Sequence, residues 1–342
     1  MNIRVGILTA PHISLHRNDD GTTTLHGVRI GIGFHWDRRE DQVFEGQIDI
    51  LRNADGTETA VNTLDIEDYL TSVISSEMAT TAPMELLKAH AVISRSWAMR
   101  AIGHTDHVGF DVCADDHCQR YEGILRRNER AIEAVRATAH EVLRYGDAIC
   151  DCRYHKCCGG RTEVWSTCWE DIDVPYIRSV ECPYCDPKRP HAALAHSLND
   201  YDRETQNYHD WQVTYTAREL GDIVRRKSGI DFGDIVDLIP LRRGASGRIY
   251  ELQIVGTKRT ETIGKELRIR QYLSPTCLYS SWFDVRKTVT HNPSSVTHTL
   301  IGHGWGHGAG LCQIGAAVMA SEGATYRDIL TYYYPGTALL QS

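Results

Sequence analysis

Two histidines and two cysteines, His107, Cys113, His117 and Cys118, fall within the twelve-residue run HVGFDVCADDHC. Two imidazoles and two thiolates suit tetrahedral zinc, and a loop of this length can wrap one ion. Adjacent His117 and Cys118 must then turn sharply to share it. The competing reading is a Cys113–Cys118 disulfide beside free histidines. A closed four-ligand shell leaves no position for activated water, so the expected Zn2+ is structural. Asp115 or Asp116 is the natural outer partner.

Seven of the eleven cysteines lie between Cys150 and Cys185: Cys150, Cys152, Cys157, Cys158, Cys168, Cys182 and Cys185. Clustering at short spacing reads better as metal ligation than as a disulfide framework. The CPYC run at 182–185 has good spacing for a metal, and Cys157, Cys168, Cys182 and Cys185 are the expected ligands of a second one. A redox CxxC is the rival, but no thioredoxin-like βαβ pattern surrounds it. Near the C-terminus, GHGWGHGAG supplies His303 and His307 among glycines ahead of a helix near Gln313. A phosphate cradle is the familiar use of such a loop; the lysine of a phosphate loop is absent.

These groups need elements to hold them. Residues 1–60 alternate in short runs broken by Asp-Gly turns, as strands do. From Asp65 the period changes, with Ile66, Tyr69, Leu70 and Val73 on one helical face running toward Glu77. Thr81 is the expected N-cap of a second helix, with Pro83 in its first turn. Leu86, His90, Ile93 and Trp97 then repeat at helical spacing. A third helix is expected near Asn128 to Val142, followed by a hairpin at Gly146-Asp147. Residues 211–290 read as strands WQVTYTA, IVDLIPL and RIYELQIVG with a helix near Glu219 to Arg226. The expected fold class is α+β: a helical catalytic core, flanking antiparallel β regions and a cysteine-rich metal-binding loop region. The expected divisions are 1–60, 61–195, 196–300 and 301–342, the last returning to the catalytic cleft.

A net charge of -8 argues against nucleic acid as a partner. No run of 18 apolar residues suggests a transmembrane segment. The N-terminus MNIRVGILTAPHISLH alternates like a strand and lacks the apolar centre of a signal peptide.

IEDYLTSVISSEM…APMELLKAHAVISRSWAMR resembles the signature of the stage II sporulation protein D family (SpoIID/LytB), EDYLxGVVxxEM followed by ALKAQAVAARTYA. GHGWGHGAGLCQIGAAVMASEGATYRDILTYYYPGT resembles that family's C-terminal motif. Between them, YHKCCGGRTEVW…PYIRSV and SGRIYELQIVG sit in the family's order. The likeness spans residues 60–340. It implies a peptidoglycan lytic transglycosylase, cutting between N-acetylmuramic acid and N-acetylglucosamine, with Glu77 as the single catalytic acid/base. Protonating a glycosidic oxygen needs one carboxyl, and when the sugar's C6 hydroxyl attacks, no water and no second carboxylate are required. The resemblance also implies that Arg95, His307 and Gln313 bind substrate, that the glycines let the backbone approach the sugar, and that a His and two Cys bind zinc in the loop after the helices.

Three other readings compete. A muramidase hydrolase needs a second carboxylate, for which Glu67 and Asp68 are the candidates. A non-catalytic glycan-binding activator of amidases is suggested by the LytB-type members. A metal-dependent hydrolase would use the cysteine-rich sites. The expected partners are peptidoglycan glycan strands, stripped of stem peptides, and an N-acetylmuramoyl-L-alanine amidase. The substrate implies an extracytoplasmic location (periplasm or cell envelope), while the lack of a signal peptide leaves the cytoplasm as the alternative.

Overall fold

The computed structural model describes residues 1–34, 37–79, 81–103, 107–115, 117–186, 188, 209–289 and 296–342. Asp116 and the boundary expected at 195/196 lie outside them. The architecture is mixed α+β with several antiparallel sheets.

The alternating N-terminal runs form strands. Asn2–Ala10 lies between Glu58–Asp65, antiparallel, and the two-residue strand Val112–Cys113, parallel. Gln47–Arg52 completes that sheet. Leu15–Arg17, Thr23–Ile30 and Arg38–Phe44 form a second antiparallel sheet.

Helix α1 (Ile66–Glu77) starts directly after the Glu58–Asp65 strand, where the Asp65 carboxylate caps the Glu67 amide at 2.9 Å. Nearly all of α1 is buried, serines included. Ser75 and Ser76 satisfy their hydroxyls on the carbonyls of Thr71 and Ser72, which lets polar residues sit inside without a desolvation penalty. The chain leaves the helix at Met78 in an extended conformation, so Glu77 is the last helical residue. Helix α2 (Met84–Ala101) packs on α1. Its N-cap is Pro83 and not Thr81, and no side chain caps it. Proline needs no partner for a missing N–H, and its fixed φ suits a helix start.

Helix α3 (Glu129–Ala137), capped by Asn128, is shorter than expected. His140 takes a positive φ, and Glu141–Tyr145 becomes a strand zipped to Ala338–Gln341. Pairing with a distant strand overrides local helical pattern here. The hairpin at Gly146-Asp147 is present, with Tyr145 opposite Ala148.

Helix α4 (Trp165–Cys168) is a single turn in the cysteine-rich stretch. Helix α5 (Ala217–Ser228) opens with a capping box of Thr216 and Glu219, and α6 (Glu266–Tyr272) follows the strands. Helices α5 and α6 and two three-stranded antiparallel sheets enclose a core of Trp211, Leu220, Phe232, Leu252, Phe283 and Leu300. Helices α7 (Gln313–Ser321) and α8 (Tyr326–Tyr333) pack on α2. They share with α1, α2 and the N-terminal sheet a larger core that runs from Ile3 to Tyr334. No helix among the described residues is long and apolar enough to cross a membrane.

Candidate active site and metal centres

Glu77 projects from the end of α1 into the wall of a cavity of about 1320 Å³. Two donors converge on its Oε1: the Arg120 backbone N–H at 3.2 Å and the Tyr154 hydroxyl at 3.1 Å. Both are held from outside. Tyr69 donates to Gln119 (3.1 Å) and Tyr121 to Asn62 (2.6 Å), so buried bonds on either side fix the Arg120 amide. The Tyr154 ring meets the His90 ring edge-on, centroids 4.5 Å apart.

His90 is fully buried on α2, and burial followed by the charge of Lys156 lowers its pKa to about 3. It is therefore a neutral imidazole. With the Gln313 amide nitrogen donating to its Nε2 (3.1 Å), its Nδ1 carries the hydrogen toward Ser94 (3.1 Å). Gln313 is the first residue of α7. A relay of contacts thus runs Gln313–His90–Tyr154–Glu77, drawing on two helices, a strand and a helix end.

One stretch of the remaining cavity wall is aromatic and basic. The Arg153 guanidinium lies 5.6, 5.4 and 4.9 Å from the ring centres of Trp97, Trp165 and Trp169, and is paired with Asp151 at 2.6 Å. Asp115, Asp151, Glu170 and Glu266 also line the cavity. Each is engaged: Asp115 by the Gly31 and Ile32 amides, Asp151 by Arg153, Glu170 by the Trp165 indole and Glu266 by Arg270. His155 is buried beside the cavity with no hydrogen-bond partner for Nε2 among the described residues.

The loop before Arg120 brings His107, Cys113, His117 and Cys118 together, with their ligand atoms all within 4.8 Å of one another. His107 Nε2 is 3.2 Å from Cys118 Sγ, and His117 Nδ1 is 3.5 Å from Cys118 Sγ and 3.9 Å from Cys113 Sγ. Strand pairing places Cys113 opposite Gly6, which anchors one end of this loop on the N-terminal sheet. The Cys113 thiol is pulled down to about 4, first by the hydrogen bond from Cys118 and then, against burial, by His117. A soft, mixed N/S donor set of four fits Zn2+. Cys113 and Cys118 are not joined in a disulfide.

A family model described as Stage II sporulation protein (SpoIID) matches residues 54–145. A second, described as a domain of unknown function (DUF8618), matches 163–310. The chain is 30% identical over 285 residues to an uncharacterized protein of Brachyspira hyodysenteriae, covering 83% of this chain and 69% of that one. It is 24% identical over 298 residues to stage II sporulation protein D of Bacillus subtilis, covering 83% and 76%. The chain belongs to the SpoIID family. A third relative, the amidase enhancer of Bacillus subtilis, is 25% identical over 301 residues, but these cover 40% of it against 79% of this chain.

Set against the SpoIID motifs, the structure assigns several residues differently. Arg95 is not in the cavity wall. It is 1% exposed and forks onto Glu67, with Nε and Nη2 at 2.8 and 2.7 Å from the two carboxylate oxygens, and it donates to the carbonyls of Val135 and Glu141. A buried guanidinium takes the bidentate partner and carbonyls within reach, and here they tie α1, α3 and the Glu141–Tyr145 strand together. The same fork removes Glu67 as a second carboxylate. Glu67 and exposed Asp68 sit at the opposite end of α1, roughly 15 Å from Glu77 at 1.5 Å per residue.

Two glycines of the SpoIID C-terminal motif make room for the protein's own groups, while Gly306 of the same run lines the cavity. A Cβ at Gly308 would lie 2.5 Å from the Arg248 guanidinium, and one at Gly310 would lie 2.0 Å from the Arg153 carbonyl; both have positive φ. Arg248, from the SGRIY run, donates to the carbonyls of Gly306 and Cys158 and so braces the loop. His307 lines the cavity, accepts from the Ala309 amide, and is held well below the usual imidazole pKa by desolvation and by His155.

The second cysteine group also differs from expectation. Cys158, Cys182, Cys185 and Cys312 converge, and Cys168 does not join them: its thiol points to the carbonyl of His307 at 3.4 Å. Cys157 lies beside Cys185 and Cys312 but outside the mutually close set. Tyr154 and His155, at the head of YHKCCGG, and the amide of Arg120 were not marked by residue type. The available signals were their adjacency to cysteine motifs and, for Tyr154 and His155, their place at the head of the run YHKCCGGRTEVW that resembles the family.

Proposed function

We propose that this SpoIID-family protein cleaves the glycan strands of peptidoglycan as a lytic transglycosylase, with Glu77 as acid and then base. The observation that carries this reading is Glu77 at a helix end in the wall of a large cavity, its Oε1 fixed by Tyr154 and the Arg120 amide. In the first half of the reaction the Glu77 carboxyl gives its proton to the glycosidic oxygen as the bond to the anomeric carbon breaks. In the second half the carboxylate takes the proton of the C6 hydroxyl as that oxygen bonds to the anomeric carbon. No water is consumed, and Glu77 ends as it began. The other cavity carboxylates are already held by amides, an indole or arginines, which favours one-carboxyl chemistry over a hydrolase pair. Trp169, Trp165 and Gln313 offer apolar faces and an amide suited to sugar rings. Gln313 then serves through His90 as well as at the wall.

We infer that His107, Cys113, His117 and Cys118 hold one Zn2+. Bound there, the ion supplies a cross-link and not an activated water, since the donor set is complete. The cross-link closes two residues before Arg120, whose amide meets Glu77.

The working site of this reaction is outside the cytoplasm, and glycan already stripped of stem peptides implies an amidase acting before it. The similarity to a protein named amidase enhancer supports a second reading, a glycan-binding activator without chemistry of its own. One experiment separates them. Peptide-free glycan strands are digested with the native protein and with Glu77→Gln, and the chain ends are identified by mass spectrometry. Anhydro-terminated fragments from the native protein alone support the lyase. Reducing ends point to a muramidase. Intact strands, with an amidase stimulated equally by both proteins, leave the activator.

A further inference from the structure

We propose that Cys158, Cys182, Cys185 and Cys312 form a tetrathiolate site for a single zinc ion that locks the cavity wall behind Tyr154 and Gln313. This rests on geometry independent of the glycan reading. All four sulfurs lie within 4.8 Å of one another, and all four residues are fully buried. A tetrahedral ion with zinc–sulfur bonds of about 2.3 Å sets sulfurs roughly 3.8 Å apart. Two disulfides would need only two close pairs. Here every pair is close, and the Cys158–Cys185 separation of 3.3 Å is well beyond a sulfur–sulfur bond of about 2.05 Å. Sulfurs this near enclose one ion, and the body of an iron–sulfur cluster does not fit between them.

The surroundings are those of thiolates. The backbone amides of Cys158 and Gly315 approach Cys312 Sγ at 3.3 and 3.4 Å, and that of Gly160 approaches Cys158 Sγ at 3.4 Å. The Tyr333 hydroxyl lies 3.1 Å from Cys182 Sγ. Such outer contacts orient ligands and offset the charge of a buried sulfur site. The 3₁₀ turn Pro183–Cys185 brings the two CPYC sulfurs to one side. A Cβ on Gly315 would sit 2.5 Å from Cys182 Sγ, so only glycine lets α7 approach the site this closely.

The consequence lies in what the four ligands join. Cys158 follows the strand Tyr154–His155, Cys312 lies in the strand paired with it, and Cys312 caps α7, which opens with Gln313. The ion therefore staples the two strands and the helix that present Tyr154 and Gln313.

The test uses the full chain. Metal analysis of the native protein is expected to give two zinc per chain, and the double variant His107→Ala/His117→Ala is expected to keep one. Cobalt exchanged into that variant should show the absorption of an all-sulfur tetrahedral site. Cys312→Ser should lose one zinc, and amides at 153–160 and 311–316 should lose protection from hydrogen exchange. If Cys312→Ser does not fold, the double variant and the native chain still decide. Disulfides among these four cysteines in the native protein, iron with acid-labile sulfide, or no metal in the double variant would overturn the assignment.

Discussion

The Tyr154 hydroxyl donates to Oε1 of Glu77 across 3.1 Å, joining a strand of the cysteine-rich region to the end of the first helix. The two residues are brought together by chain segments that share no local sequence signal. If Glu77 is the acid/base, this bond sets the orientation of its carboxyl. Tyr154→Phe removes the donor and keeps the ring on His90. If the bond strengthens by about 1.5–3 kcal/mol as charge develops on Glu77 in the transition state, kcat should fall roughly tenfold to a hundredfold, with the melting temperature lowered by only a few degrees for the roughly 1 kcal/mol lost in the resting protein. Glycan-strand turnover beside a thermal melt checks it; full activity in the variant would remove Tyr154 from the mechanism.

Arg95 predicts the reverse pattern. Its guanidinium is buried against Glu67 and two carbonyls, away from the cavity. Arg95→Ala takes the guanidinium from the Glu67 carboxylate and from the carbonyls of Glu141 and Val135, the last of which keeps Thr138 as donor, and breaking such a pair costs on the order of 3 kcal/mol. Glu67 retains some solvent contact, which holds the cost at the low end of that class. Chemical denaturation should show the loss, while KM for glycan in the folded fraction stays at the native value. A raised KM at native stability would return Arg95 to substrate binding.

Removal of the metal from the His107 loop should act on Glu77 at a distance. The cross-link closes at Cys118, and Arg120 follows on a segment pinned by Gln119 and Tyr121. His117→Ala should release one zinc and weaken the Arg120–Glu77 contact. Turnover should then fall by about tenfold, the scale of lost supporting contacts around a metal, and added zinc should not restore it. Unchanged turnover in a zinc-depleted variant would make the ion a stability element alone.

What could be read from the sequence depended on whether the partners were close along the chain. The His107–Cys118 loop carries its two histidines and two cysteines in one run, so spacing alone suggested their grouping, and the four ligand-capable atoms do lie within 4.8 Å of one another. Cys182 and Cys185 were legible for the same reason. Cys312 was not, because only the parallel pairing of Tyr154–His155 with Leu311–Cys312 carries it to the cluster. The α1 and α2 periods were readable because their apolar faces repeat. The strand at Glu141–Tyr145 was not, since its partner is the C-terminal strand Ala338–Gln341. The place of Arg95, away from the cavity and on Glu67, was not legible because a motif position says nothing of which carboxylate lies within reach.

Gly308 tests the brace under the C-terminal motif. Its φ is positive, and an added Cβ would meet the Arg248 guanidinium at 2.5 Å. Gly308→Ala suffers both backbone strain and a steric clash, a loss of more than about 1 kcal/mol. Arg248→Lys in the same background shortens the obstructing group and should recover part of it. Thermal melts of the two single variants and the double variant measure the coupling, and strict additivity would show that the contact does not govern the loop.

His90 gives the last prediction, through pH. Buried among α2, Tyr154 and Gln313 and facing the charge of Lys156, its imidazole has a pKa lowered to about 3. The unfolded chain takes up that proton near pH 6.5, while the native state refuses it. Below pH 6.5 the unfolded state therefore binds more protons, and stability falls as pH falls, by up to about 1.4 kcal/mol per pH unit. Above pH 6.5 the contribution is fully present. The informative quantity is the difference between native protein and His90→Gln, which isolates this one group. Urea unfolding from pH 7.5 to 5 should give a shallower acid slope in the variant, by roughly 2 kcal/mol over the range. Parallel slopes would mean that His90 takes up its proton at the same pH in the folded protein as in the unfolded chain, and would remove it as a buried neutral imidazole.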